Sequence, residues 1–176
     1  MVEAENHYTT ALRLLDELPE TPERDRQGLA LQLAIGPALM AIKGWAAPEV
    51  ERAYAGGRKL SEQMGEIGKL FTVFHGLWVN HLERLEFKSA YQIGKELLFH
   101  AEDIDDPILL LLAHPAVGVT ANRMGQFRIA SDHLETALHL CGARRMRPLG
   151  VDMEVVYRSQ LAGRCGFLVT LTKRLE

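Results

Sequence analysis

The chain has 176 residues, 47% of them hydrophobic and 24% charged, with a net charge of −3. That length and balance suit a folded domain with its own core and exclude a disordered chain. The small net charge leaves no electrostatic footprint for nucleic acid or an anionic membrane; Arg144, Arg145 and Arg147 lack interleaved aromatics and read as a solvated loop. Cys141 and Cys165 make neither a disulfide framework nor a metal-type spacing, which points to a reducing, cytoplasmic setting. The acidic, polar start from Met1 to His7 is not a secretory signal, and the longest apolar run, Ile108 to Ala113, is too short to span a bilayer.

Apolar residues recur at helical spacing along nearly the whole chain, and period-2 alternation is nowhere sustained. Helices are expected over residues 3–18, 22–43, 48–64, 68–84, 88–102, 107–124, 127–141 and 152–163. Leu29, Leu33, Pro37 and Met40 form the apolar stripe expected of the second of these. Leu70, Phe74, Leu77 and Trp78 form that of the fourth. Pro22, Pro48 and Pro107 stand where a first helical turn has no N–H bond to lose, so each marks a start. Pro115 falls inside a helix, where it removes the bond to the Leu111 carbonyl and is expected to kink the element.

A spacing of 40 organises these elements. Glu86-Phe87-Lys88-Ser89-Ala90 and Gln126-Phe127-Arg128-Ile129-Ala130 share one pattern, Leu98 falls on Leu138, and Gly36 on Gly76. Three helix pairs at about 24–64, 65–104 and 105–144 follow, within a repeat domain over 1–144. A period of this size signals stacked units, because one helix pair cannot bury its apolar stripe alone.

Gly118, Ala121, Gly125, Phe127, Ala130, Leu134 and Ala137 resemble the small–large pattern of tetratricopeptide repeats, whose usual period is 34 residues. A closer resemblance runs over residues 8–140. Leu31 to Met40, Gly44 to Tyr54, Phe71 to Trp78 and Asp106 to Leu110 are similar to the helical repeat region of large bacterial signalling proteins. In those proteins a class III adenylate/guanylate cyclase domain and an AAA-type ATPase precede the repeats. The resemblance implies an all-α, right-handed solenoid of antiparallel helix pairs, with cyclase and ATPase modules upstream or lost. Gly56-Gly57 departs from the family's pattern and weakens its helix by roughly 1 kcal/mol per glycine. Beyond residue 142 the match decays. Residues 145–176 read as an incomplete fourth repeat or frayed tail, with Phe167 forty beyond Phe127, and an uncapped apolar end there can self-associate.

No motif points to chemistry. Gly56 to Ser61 lacks the order of a phosphate-binding loop and follows no strand. His75 with His81, and His133 with His139, stand six apart, on different sides of a helix, and Cys141 near His139 has no third ligand; no metal or cofactor is expected. Glu102, Asp103, Asp105 and Asp106 read as helix-capping acids, and no nucleophile elbow occurs. Trp78 is expected in the core, whereas Trp45, at a turn, either plugs a helix pair or anchors a partner.

In a tetratricopeptide stack the first helix of each pair lines the inner groove. Repeat register places Lys43, Glu83 and Arg123 at one groove position, with Asn122 beside the last, and Gln32 and Thr72 at another. His75 occupies a position where carboxylate-gripping repeats carry a cation or amide; with Ile35, Pro115, Leu39, Val79 and Val119 at the matching sites, that clamp is missing. The expected function is therefore non-catalytic: protein binding or signal sensing, with an adjoining cyclase or ATPase domain or a separate protein as partner. The alternative is a small-ligand sensor that holds an effector between helices.

Overall fold

The computed structural model describes residues 19–144 and, before them, His7, Thr10, Ala11, Arg13, Leu14 and Glu17. The expected helix over 152–163 and the tail over 145–176 lie outside the described residues, as does most of 3–18. Among the described residues the fold is all-helical. Six helices follow in order: α1 (Pro22–Lys43), α2 (Pro48–Met64), α3 (Ile67–Glu83), α4 (Phe87–Ile104), α5 (Pro107–Arg123) and α6 (Phe127–Arg144). No helix among them is long and apolar enough to cross a membrane.

Local chemistry sets their ends. Pro22, Pro48 and Pro107 each open a helix; the Thr21 hydroxyl accepts the Arg24 N–H and the Asp106 carboxylate accepts the Ile108 N–H. Left-handed residues close them: Gly65, Leu85, Asp105 and Gly125 all have positive φ. At three of these the chain makes the paired bonds of a Schellman ending. Glu66 N–H donates to the Ser61 carbonyl, Glu86 to His81 and Gln126 to Ala121. The period of 40 is thus present in the backbone itself: helices end at Lys43, Glu83 and Arg123, and again at Met64, Ile104 and Arg144. Gly65 and Asp105 stand forty apart, as do Leu85 and Gly125.

The chain divides into two compact units, residues 1–93 and 94–176, with the boundary inside α4. In the first, α2 packs against both α1 and α3. Gly28 meets Leu60, Gln32 meets Gly56 and Gly36 meets Tyr54, so contacts descend α2 as they climb α1 and the two helices run antiparallel. Gly57 against Val73 and Tyr54 against Gly76 show the same for α2 and α3.

Glycines make this closeness feasible. A Cβ on Gly36 would lie 2.5 Å from the Tyr54 ring, and one on Gly76 would lie 2.4 Å from the same ring. Gly56 leaves room for the Gln32 amide, 2.7 Å from its absent Cβ, and Gly57 for Val73. The glycine pair that weakens α2 as an isolated helix is therefore what lets α1 and α3 approach it. In the second unit, Gly94 faces backbone atoms of Ala116 and Gly118 faces Leu134. Leu111, Leu134, Ala137 and Cys141 form the buried cluster there.

The stripe expected on α1 is shifted. Leu29, Ile35, Gly36 and Leu39 are buried, while Pro37 is exposed and Leu33 and Met40 are half-buried. Close approach at Gly28 and Gly36 selects the face that carries the glycines, and Pro37, which has no N–H to donate, is left on the solvent side. The α3 stripe is as expected, with Leu70, Phe74, Leu77 and Trp78 all buried. Pro115 lies within α5, buried, and the helix continues past it.

Adding a methyl group at Gly36 or Gly76 forces the Tyr54 ring to move. Gly36→Ala and Gly76→Ala are expected to cost about 1–3 kcal/mol each in urea or thermal unfolding. Combining Gly76→Ala with Tyr54→Leu should recover part of that loss in a double-mutant cycle, since the smaller side chain removes the clash.

Candidate functional site

The α1–α2 link lies against the C-terminal part of α3 along one edge of the first unit. Asn80, fully buried, donates through Nδ2 to the carbonyls of Trp45 at 2.7 Å and Ala47 at 3.1 Å. Those carbonyls belong to the turn between α1 and α2, so a side chain of α3 fixes the shape of that turn. Its own Oδ1 is buried with no hydrogen-bond donor. A buried amide that spends both N–H groups on one loop, and leaves its oxygen unpaired, is held there by the loop's need for donors. Forty residues on, Thr120 is also fully buried, and its hydroxyl donates to the Ala116 carbonyl of its own helix. The register keeps a polar group at this position, and Asn80 reaches a link.

Ion pairs frame the same edge. Arg84 pairs with Glu51 of α2 and, through its other nitrogen, with Glu86 at 2.8 Å; His81 Nδ1 lies 2.6 Å from Glu86. The hydrogen bond with His81, then the charge of Arg84, hold the Glu86 carboxyl below the usual range. Lys43 Nζ lies 3.1 Å from Glu49 at the start of α2.

Two large apolar side chains project from this frame. Trp45 is 52% exposed and Leu85 is 72% exposed. The indole therefore does not plug the helix pair, because Tyr54 fills the space beside Gly36 and the Trp45 backbone is drawn instead to Asn80. Leu85 breaks a second rule, since its φ of 61° belongs to glycine, the residue found forty positions later at Gly125. An apolar residue that is both exposed and conformationally strained gains nothing from either property within the unit.

The sequence-predicted groove residues are distributed as follows. Lys43 and Glu83 end α1 and α3 beside this edge, and Arg123 ends α5 at the same register in the second unit, all three exposed. Thr72 is exposed on α3, and Asn122 is half-buried. His75 packs its ring 5.5 Å from Trp78, and burial pushes its pKa down, so it is a neutral aromatic contact at pH 7. Gln32 faces α2 at Gly56, with a buried Oε1 that has no hydrogen-bond donor. Repeat register is what relates these seven positions. Asp106 caps α5 as expected of the acidic cluster, Asp105 is the left-handed residue before it, and among the described residues no group of three His, Cys, Asp or Glu could hold a metal.

Comparison with protein-family models, curated proteins and solved structures finds no match to this chain. Function is therefore read from the chain itself.

Sequence reasoning missed Asn80 and Leu85. Asn80 carries a signal, a lone amide in the apolar stripe of α3, but its partners lie 33 and 35 residues away. Leu85 stands where its equivalent is Gly125, a mismatch visible in the repeat alignment.

Asn80→Ala leaves two link carbonyls without donors and should cost about 1–3 kcal/mol in equilibrium unfolding, with a shift in Trp45 fluorescence. Leu85→Gly should act in the opposite sense, adding up to roughly 1 kcal/mol by relieving the left-handed strain.

Proposed function

We propose that the chain is a non-catalytic protein-interaction module, built as a right-handed solenoid of antiparallel tetratricopeptide-type helix pairs. Its partner is an adjoining cyclase or ATPase module or a separate protein. The observation that carries this reading is the pair Trp45 and Leu85, exposed at the same register of successive links and held in place by Asn80 and the Glu51–Arg84–Glu86 network. Tryptophan gives large contact area at low conformational cost and is favoured at the centres of protein interfaces. The strain at Leu85 has a use if the side chain anchors a partner.

The recurrence of helix ends and left-handed residues at a spacing of 40 supports the repeat architecture. The resemblance of Leu31–Met40 and Gly44–Tyr54 to cyclase–ATPase repeat regions supports the signalling context. Lys43, Thr72, His75 and Glu83 in the first unit, and Asn122 and Arg123 in the second, are its proposed further contacts, with Gln32 acting through the α1–α2 packing. No residue is assigned covalent chemistry.

The sensor reading draws on a cleft of about 270 Å³ in the first unit, lined by Pro22, Asp25, Arg26, Gln63, Met64 and Glu66. It is small for an organic effector and strongly charged, which favours the protein partner over it. A thermal-shift screen separates the two: saturable stabilisation by a nucleotide, sugar or peptide would favour the sensor.

A photo-crosslinking amino acid at position 45, activated in the cells that make the protein, should yield adducts with a defined protein. Replacing Leu85 with Gly should lower their yield about tenfold while the fold is kept, in line with loss of an interface anchor. The absence of any protein adduct at position 45 would overturn the proposal.

A further inference from the structure

The second unit contains a pair of histidines that neither the fold nor the docking edge uses. His114 on α5 and His133 on α6 bring their Nδ1 atoms to 2.9 Å, with ring centroids 5.2 Å apart and planes tilted by 40°. Both side chains are half-buried. They stand 19 residues apart, and the α5–α6 turn is what brings them together.

A contact between two Nδ1 atoms at this distance needs one proton between them. In the neutral pair one imidazole carries its hydrogen on Nδ1 and donates, while the other carries its hydrogen on Nε2 and accepts. A first added proton enters at the free Nε2 of the donor ring and leaves the shared hydrogen in place, now donated by a cation. A second must land on the accepting Nδ1, which erases the bond and sets two cations face to face.

We propose that the His114–His133 contact is a proton-operated latch between α5 and α6, holding while the pair carries at most one extra proton and releasing when both rings are charged. Glu102 on α4 and Asp132 on α6 are the charged groups that act on the pair, and both act on His133. They assign the first proton to His133. Burial and then the charge of His133 oppose the second, pushing the His114 pKa down to about 4. Burial lowers His133 as well, with the two carboxylates working against it. The folded unit therefore binds fewer protons than the unfolded chain. Its contribution to stability is complete above pH 6.5 and is lost as the pH falls towards about 4. Leu134 and Ala130 follow and precede His133 on α6 and pack at Gly118, so release at the pair loosens the close contact of the two helices.

The test uses the full chain and hydrogen exchange at pH 6.5 and 4.5, corrected for intrinsic rates. In the wild type, protection of α5 and α6 amides should fall about tenfold more than in His114→Asn, whose amide oxygen still accepts from His133 but takes no proton. Amides of α2 should respond equally in both. An equal loss across α5 and α6 in the two proteins would overturn the latch. Should His114→Asn fail to fold, side-chain NMR titration of the wild type decides: protonation of His114 well below 6.5 supports the latch, and protonation of His114 at or above 6.5 overturns it.

Discussion

The Tyr54 ring lies between two glycines, Gly36 on α1 and Gly76 on α3, and the first unit is arranged around that contact. A ring of this size can sit between two helices only if neither presents a Cβ to it. Once it does, α2 is held at close range on both sides, and Gly56 and Gly57 become necessary where Gln32 and Val73 approach. Each glycine lowers the intrinsic stability of its helix by about 1 kcal/mol relative to alanine. The offset comes from burial of Leu29, Val50, Val73 and Phe74, all within 1% of complete exclusion from solvent. At the matching register the second unit reverses the sizes. Gly94 stands where Tyr54 would, against the Ala116 backbone, and Leu134 lies over Gly118. One spacing thus accommodates different fillings of the same gap, large ring on small helix or small helix on backbone.

The proposed docking edge depends on this packing. With α1 and α3 both drawn against α2, the α1–α2 turn lies within reach of Asn80, and Arg84 within reach of Glu51. Trp45 and Leu85 are then left outside because the space between helices is already filled. The edge is tied down on two sides: carbonyls of the α1–α2 turn are bonded from α3, and its charges are bonded to each other. A preorganised apolar pair loses little freedom when it is covered.

The second unit places its polar feature inside the helix hairpin instead. The His114–His133 pair occupies a half-buried site beside a glycine contact, where a second positive charge has no counter-ion of its own. Glu102 and Asp132 bias the pair without neutralising it, which makes the contact sensitive to protons over a range that surface histidines do not cover.

The sequence by itself determined where helices begin and end. Proline is best tolerated in a first turn, and that rule acts within a few residues, so Pro22, Pro48 and Pro107 marked three helix starts, while the match of Glu86–Ala90 to Gln126–Ala130 gave the period of 40; Pro37 and Pro115 fall inside helices that continue past them. Register placed Lys43, Glu83 and Arg123 at equivalent helix ends for the same reason. Which face each helix buries was legible for α3, whose stripe is strongly apolar, and not for α1, where two glycines outweigh the larger side chains Leu33 and Met40. Only tertiary packing decided that Trp45 stands outside, that Gly56-Gly57 is a contact surface, and that Asn80 and the two histidines meet their partners. Those pairings join residues 19 to 35 positions apart, across turns whose geometry no local pattern encodes.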